Sequence, residues 1–385
     1  MKILVTGAAG FVGKNLCAEL SNIRDGKRAD GELSALELYK YDIDTPEHLL
    51  DEYTKDCDFV FHLAGVNRPE KEEDFLAGNY GFTSRLLESL EKNGNLSPVL
   101  ITSSIQAALD NPYGRSKKAG EELIFSYGRN TGAPVYVYRL PGVFGKWCRP
   151  NYNSVVATFC HNIARGLDIK VNDPDTQLSL VYIDDVVDEF ISALKGRPNI
   201  KDGYGCIKTV HSVTLCRLAS LLYSFKQSRS TLDVPLCGGF EKALYSTFLS
   251  YLPEDEFCYP LKMNCDERGS FTEILRTADR GQFSVNIIKP GFTKGNHWHH
   301  TKNEKFVVVK GVGSVNFMKV GDPEQKVISY PVSGDKIEVV DIPTGYTHNI
   351  KNTGSDDMVC FMWCNECFDK DKPDTYFLEV PDEQS

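Results

Sequence analysis

Lys2-Ile3-Leu4-Val5-Thr6-Gly7-Ala8-Ala9-Gly10-Phe11-Val12-Gly13 opens the chain. Ile3 to Val5 make an uninterrupted apolar run, the pattern of a strand buried on both faces. Glycines then recur at three-residue spacing, and Phe11 to Leu20 continues with helical periodicity. Strand, glycine turn and helix in that order form a cradle for a pyrophosphate. Glycine lets the backbone approach the phosphates, and the helix N-terminus offers free N–H donors at the positive end of its dipole. The pattern predicts a dinucleotide site at Gly7, Gly10, Phe11, Val12 and Gly13.

Working outward, short apolar runs alternate with helical patterns over the first 200 or so residues. Leu36–Tyr41, Asp58–Leu63, Pro98–Ser103 and Pro134–Arg139 read as further strands, and Lys71–Lys92 and Ser116–Tyr127 as helices. That alternation predicts an α/β fold, a doubly wound parallel sheet of Rossmann type. Ser21–Gly31 reads as a surface insertion, and residues 200–250 as more helical. Tyr251–Pro260, with two prolines and an acidic run, reads as a connection between domains. Seven β-rich runs punctuated by glycine follow, from Phe271–Leu275 to Asp357–Trp363, which predicts a small all-β barrel or jelly roll. The expected domains are 1–247 and 255–385.

Composition bounds the function. The chain has 385 residues, 41% hydrophobic and 25% charged, and a formal net charge of -10. That acidic balance argues against a nucleic-acid partner, which selects a clustered basic face. Twelve cysteines without framework spacing read as reduced thiols, with Cys364 and Cys367 as chance neighbours. No leader and no membrane-spanning run is evident, so a cytoplasmic enzyme with no membrane partner is expected.

Tyr113-Gly114-Arg115-Ser116-Lys117 puts a phenol and an ammonium four residues apart on one helix face. The ammonium should favour the phenolate, bringing the phenol towards working pH and making Tyr113 a general acid for a carbonyl oxygen. Ser103 and Ser104 end the preceding strand, and Ser104 is the expected hydroxyl partner. At the end of the second strand, Asp42 either accepts from a ribose 2′-OH or, with Asp44, caps a helix at Thr45-Pro46.

These pieces resemble the extended short-chain dehydrogenase/reductases that act on nucleotide sugars. His62-Leu63-Ala64-Gly65, Asn79, Arg139–Gly145 and Val181–Asp185 carry the likeness further. It implies that Leu63, Ala64, Gly65, Asn79 and Pro141 line the coenzyme site, and that Lys117 also holds the nicotinamide ribose.

The C-terminal region carries a second chemistry. Gly291-x5-His297-x-His299-x4-Glu304-x6-Gly311 is followed by Pro343-x-Gly345-x2-His348-x3-Asn352. Imidazoles two apart on a strand share a face, and a hairpin is expected to bring Glu304 to them. His297, His299, Glu304 and His348 suit zinc, iron, manganese or nickel. His300 belongs on the opposite face. Both blocks fit the cupin motifs, and Asp266–Glu273 resembles the first strand of cupin-type sugar-nucleotide 3,5-epimerases. Glu273, Lys294 and Tyr346 are candidates for the epimerase base.

Taken whole, the sequence is similar to bifunctional capsule-synthesis enzymes that join these two folds. Arg149–Ser154, Tyr245–Pro253 and Gly295–Glu304 carry that likeness. It implies a UDP-linked 4-keto-6-deoxy amino sugar as substrate, UDP-2-acetamido-2,6-dideoxy-L-talose as product on the path to UDP-N-acetyl-L-fucosamine, and Zn2+, NADPH (or NADH) and a homodimer. Two other readings use the same residues. One is a single-activity reductase with a structural cupin. The other is an NAD(P) sensor, which would have no use for the Tyr113/Lys117 proton donor.

Overall fold

A computed structural model of the chain describes residues 1–33, 35–67, 71, 73–277 and 279–381. It divides into two compact units: Met1–Tyr223 with Cys237–Pro253, and Ser224–Leu236 with Glu254–Ser385. The segment 224–236 groups with the second unit, where Arg276 N–H donates to Leu232 O at 2.8 Å. Among the described residues no helix is long and apolar enough to cross a membrane.

In the first unit β1 (Lys2–Thr6), α1 (Phe11–Arg24), β2 (Glu37–Tyr41), α2 (His48–Tyr53), β3 (Phe59–His62), α3 (Glu73–Leu76), α4 (Phe82–Lys92), β4 (Val99–Ser104), α5 (Pro112–Thr131) and β5 (Val135–Leu140) alternate as expected. There follow β6 (Gly142–Phe144), α6 (Val155–Ala164), β7 (Gln177–Tyr182), α7 (Ile183–Leu194), β8 (Ile200–Lys201), β9 (Tyr204–Gly205), β10 (His211–Thr214), α8 (Leu215–Thr231), whose residues from Ser224 group with the second unit, and α9 (Gly239–Leu249). The main sheet has the order β2-β1-β3-β4-β5-β9-β8 and is parallel through β9. Alternation along its strands feeds two cores. Ile3, Val5 and Phe61 pack against α1 and α7, while Leu4, Val60 and Val137 pack against α4 and α5.

Two local choices place the reductase residues. α5 starts earlier than the sequence pattern suggests, because Asn111 Oδ1 caps the Gly114 N–H at 2.8 Å and Pro112 occupies the first turn. Tyr113 is therefore already helical. The expected single helix over 71–92 is broken into α3, a π-helical turn at Ala77–Gly81 and α4, with Glu72 outside the described residues. That π turn carries Asn79, and π turns of this kind often mark functional positions.

The named strands of the second unit all pair antiparallel. Its strands are β11 (Met263–Asp266), β12 (Gly269–Thr277), β13 (Gly281–Ile288), β14 (Thr293–Trp298), β15 (Glu304–Lys310), β16 (Val312–Lys319), β17 (Val327–Ser333), β18 (Val339–Ile342), β19 (Tyr346–Asn352), β20 (Met358–Cys364) and β21 (Tyr376–Phe377). They form one sheet of order β11-β12-β13-β20-β15-β18 and another of order β17-β16-β19-β14-β21. Ile288, Phe306, Phe317, Ile350 and Met358 belong to the core cluster between them.

One sequence expectation is corrected here. β14 and β15 are not a hairpin: β14 pairs with β19 and β21, and β15 with β18 and β20. Residues 299–303 cross from one sheet to the other. His297 and Glu304 therefore approach each other through the interior of the fold rather than along a ladder.

Candidate active sites

The glycine loop is shaped by contacts that exclude side chains. Gly7 has φ +68, and a Cβ there would lie 2.6 Å from Ala64 N; a Cβ on Gly13 would lie 2.1 Å from Gly7 O. The first glycine therefore makes the turn and the third lets α1 pack on it. Phe11 and Val12 begin α1, whose N-cap Gly10 has no side-chain partner, leaving its N–H groups available to an anion.

Asp42 does not cap the helix that follows it. Its carboxylate accepts from Ala9 N–H at 2.7 Å and Ile43 N–H at 2.8 Å, tying the glycine loop to the end of β2. The helix that follows starts at His48 with no side-chain cap.

On the other wall, Asn79 is 5% exposed and fully engaged. Its Oδ1 accepts from Val66 N–H at 2.9 Å, and its Nδ2 donates to Val66 O and Ser116 Oγ at 3.0 Å each. This pins the strand-end segment Leu63-Ala64-Gly65. Any side chain on Gly65 would collide with Asn79 Oδ1 and Lys117 Nζ, both 2.9 Å from its Cβ position. The structure thus brings Gly65, Asn79 and Lys117 together. Pro141 follows β5 directly.

Tyr113 and Lys117 share one face of α5, with Nζ 5.9 Å from the phenol ring centre. The expected phenolate is corrected. Burial pushes the Tyr113 phenol up, and a hydrogen bond with Ser104 offsets this only in part. A tyrosine that keeps its proton is the form that acts as an acid. Lys117 has instead moved towards neutrality: burial lowers it to about 8 against the raising effect of Glu121. Its Nζ donates to Thr102 O at 3.4 Å.

The two serines point to different partners because they are successive on a strand. Ser103 is buried and donates to Glu121 Oε1 at 2.5 Å, inside a network in which Arg139 binds both Glu121 oxygens. Ser104 lies on the Tyr113 side and also accepts from Gln106 N–H at 3.2 Å. Asn67, which no motif singled out, accepts the Tyr113 hydroxyl on its Oδ1 at 3.0 Å. An amide oxygen there is chemically the same kind of acceptor as a substrate ketone.

A pH test follows from Lys117. The kcat/KM for coenzyme-dependent reduction should fall as pH rises through about 8, tenfold per unit, because this profile reports the free enzyme's essential groups. Lys117→Arg, charged throughout, should carry its remaining activity to higher pH. An unchanged fall in that variant would assign the titration to another group.

In the second unit, His297, His299, Glu304 and His348 place one ligand atom each within 4.8 Å of one another. It is the one group of this kind among the described residues. His297 sits directly across from His348 in the β14–β19 ladder. A bulge at Asn296, with φ 60, turns both Lys294 and His297 inward although they are three residues apart. His300 is exposed and packs edge-on against Trp298 at 4.6 Å.

Electrostatics fit a cation. His348 Nε2 is 3.1 Å and His299 Nε2 3.6 Å from Glu304 Oε2. Yet His299 Nε2, Glu304 Oε2 and both His348 nitrogens are buried without a hydrogen-bond partner. Burying His299 Nε2, Glu304 Oε2 and the facing nitrogen of His348 unpaired around one point is costly unless a metal satisfies them. Burial and the neighbouring His348 lower His297 to about 4, so its imidazole is neutral and able to ligate at ordinary pH. Burial pushes Glu304 up, but His299 and His348 outweigh it and hold the carboxyl well below the usual range.

The cluster opens onto a cavity of about 570 Å³. Glu273 and Lys294 line it, whereas Tyr346 packs against the core. Lys294 Nζ already donates to Asn286 Oδ1 at 2.9 Å and to Ser270 O and Ile287 O at 3.2 Å, leaving no free N–H. Glu273 is paired with Arg276 at 3.3 Å.

Comparison with known proteins agrees with this division. Residues 3–203 match the NAD-dependent epimerase/dehydratase family, and residues 264–376 match a polysaccharide biosynthesis C-terminal domain. The chain is 46% identical over 381 residues to a Pseudomonas aeruginosa UDP-2-acetamido-2,6-beta-L-arabino-hexul-4-ose reductase, covering 99% of both. A crystal structure of the capsular polysaccharide assembling protein CapF from Staphylococcus aureus superimposes with a TM-score of 0.90 at 52% identity, over 99% of this chain and 100% of that one. A P. aeruginosa GDP-6-deoxy-D-mannose reductase is 30% identical over 221 residues, 50% of this chain and 70% of that protein.

Proposed function

Because this chain belongs to the NAD-dependent epimerase/dehydratase family and continues into a polysaccharide-biosynthesis domain, we propose that it is a two-site enzyme acting on one UDP-linked keto sugar. It is a nucleotide-sugar reductase and epimerase of capsule or polysaccharide synthesis. The substrate is a UDP-2-acetamido-2,6-dideoxy-4-hexulose. The second unit inverts C3 and the first reduces C4, giving UDP-2-acetamido-2,6-dideoxy-L-talose, a precursor of UDP-N-acetyl-L-fucosamine. Near-complete coverage by a relative named for reducing such a hexul-4-ose supports the sugar class.

In the first unit Tyr113 gives its proton to O4 while Ser104 hydrogen-bonds the same oxygen, and Lys117 binds the nicotinamide ribose and keeps a positive charge beside the phenol. A reduced nicotinamide coenzyme supplies the hydride when bound. NADPH is the coenzyme of this reading, with NADH as the alternative.

In the second unit the ketone at C4 acidifies the C3 proton, which leaves to a base and returns on the opposite face. A divalent cation such as Zn2+ held by His297, His299, Glu304 and His348 supplies a Lewis acid for the charge that develops on the sugar oxygens. The protein's part is to exclude water from the sugar and to hold its ring against the cluster, between polar walls that include Asn286 and Lys294. The enzyme is a homodimer by the same family likeness.

The observation that carries the two-site reading is the cavity. A purely structural metal site is closed by protein ligands, while a catalytic one keeps a position open to substrate. Here the cluster faces about 570 Å³ of space. NMR of the keto sugar in D2O tests this. Deuterium should enter at C3 without coenzyme, and the reduced 6-deoxy sugar should form once NADPH is added. Clean C4 reduction with no prior exchange would leave the second unit a structural module.

A further inference from the structure

Residues 373–380 run along the metal cluster as a strap. β21 takes the edge of β14, pairing Phe377 with His297 and Tyr376 with Trp298. Past β21, Leu378 N–H donates to Asn296 O at 3.0 Å and Val380 N–H to Asn296 Oδ1 at 3.2 Å, holding the bulge that aims His297. Ahead of β21 the contacts are denser. The Asp374 carboxylate accepts from the N–H groups of His300, Thr301 and Lys302 at 3.0, 2.9 and 3.0 Å, and from the Thr301 hydroxyl at 3.0 Å. The Asp374 carbonyl oxygen lies 2.5 Å from His299 Nδ1.

These bonds fall on the one part of the site that has no ladder of its own. The crossing segment 299–303 carries His299 at one end and leads into Glu304 at the other, and it joins strands in different sheets. Its N–H groups need acceptors that no β-partner provides. Three successive N–H groups converging on one carboxylate fix the segment's shape. A carbonyl oxygen facing Nδ1 requires the proton there, which leaves the Nε2 lone pair for a metal. Asp374 itself has φ 40, a left-handed conformation rarely adopted by residues other than glycine, asparagine and aspartate.

We propose that Asp374 is a positioning residue of the metal centre. Its carbonyl fixes His299 as an Nε2 ligand, and its carboxylate holds the segment between His299 and Glu304 at ligand spacing. The inference rests on the reading of the cluster as a metal site, and its test separates the two. Metal-free full-length wild type, Asp374→Ala and Asp374→Asn are titrated with cobalt(II), following the visible absorption bands and competition with a chelator. Asp374→Ala should bind cobalt about 10–100-fold more weakly, the usual range for losing an outer support of a ligating histidine, and should change the band pattern. Asp374→Asn tolerates the same backbone and retains one acceptor oxygen, so a smaller loss is expected. Far-UV circular dichroism of the metal-free proteins should coincide. Wild-type affinity and bands in both variants would overturn the role of Asp374. A wild type that takes up neither cobalt nor zinc would remove the metal site itself, and this inference with it.

Discussion

Tyr113→Phe should oxidise NAD(P)H in the presence of the keto sugar about 10²–10⁴-fold more slowly than wild type, the range expected for losing a general acid. The change removes one oxygen from a helix whose N-cap, Asn111, is untouched. The Asn67 amide loses a hydrogen-bond partner, which costs about 1 kcal/mol or less where water can replace it. The variant therefore folds, and the loss is chemical. The decisive readout is the other reaction. Deuterium exchange at C3 should proceed at the wild-type rate, because the residues proposed for it all lie in the second unit. Loss of both activities in a folded protein would merge the two sites into one and end the two-site reading.

The N-terminal half was readable because its signals are local. The strand, turn and helix around Gly7, Gly10 and Gly13 sit within a dozen residues, and the tyrosine–lysine pair needs only one helical turn. What the sequence could not weigh was environment. Spacing suggested that Lys117 would lower the Tyr113 phenol; burial acts on both groups and favours the neutral form of each. Spacing also left Ser103 and Ser104 equivalent, whereas the fold commits Ser103 to the buried Glu121 and leaves Ser104 beside the phenol. Asp42 illustrates the same limit, since its bond to Ala9 joins positions 33 residues apart.

In the C-terminal half, the ligand set was legible and its architecture was not. Motif spacing picked out the four side chains that the fold gathers. It could not say whether β14 and β15 face each other along a ladder or across the interior, because a short connection serves a hairpin and a sheet-to-sheet crossing equally. Asp374 was invisible for a plainer reason. It reaches His299 from 75 positions away, and a lone aspartate in a polar tail carries no motif.

Removing the metal should have the second large effect. A chelated enzyme, checked to be metal-free, is expected to lose C3–H exchange by about 10³-fold or more, since a Lewis acid contributes several kcal/mol of charge stabilisation and each 1.4 kcal/mol is tenfold in rate. Reduction of a sugar that already has the product configuration at C3 should continue, because Tyr113, Lys117 and Ser104 belong to the other unit. The second unit should also melt earlier. Without a cation Glu304 Oε2 and the orphaned imidazole nitrogens are buried without hydrogen-bond partners, and a metal present at about a thousand times its Kd would contribute about 4 kcal/mol of stability. Restoring zinc should restore exchange, while magnesium should not, because three imidazoles disfavour a hard cation that prefers oxygen ligands. Exchange that survived in verified metal-free enzyme would leave the cluster a structural role only. The C3 chemistry would then rest on side chains of the cavity, with Glu273 the first to replace: it lines that space and pairs with Arg276.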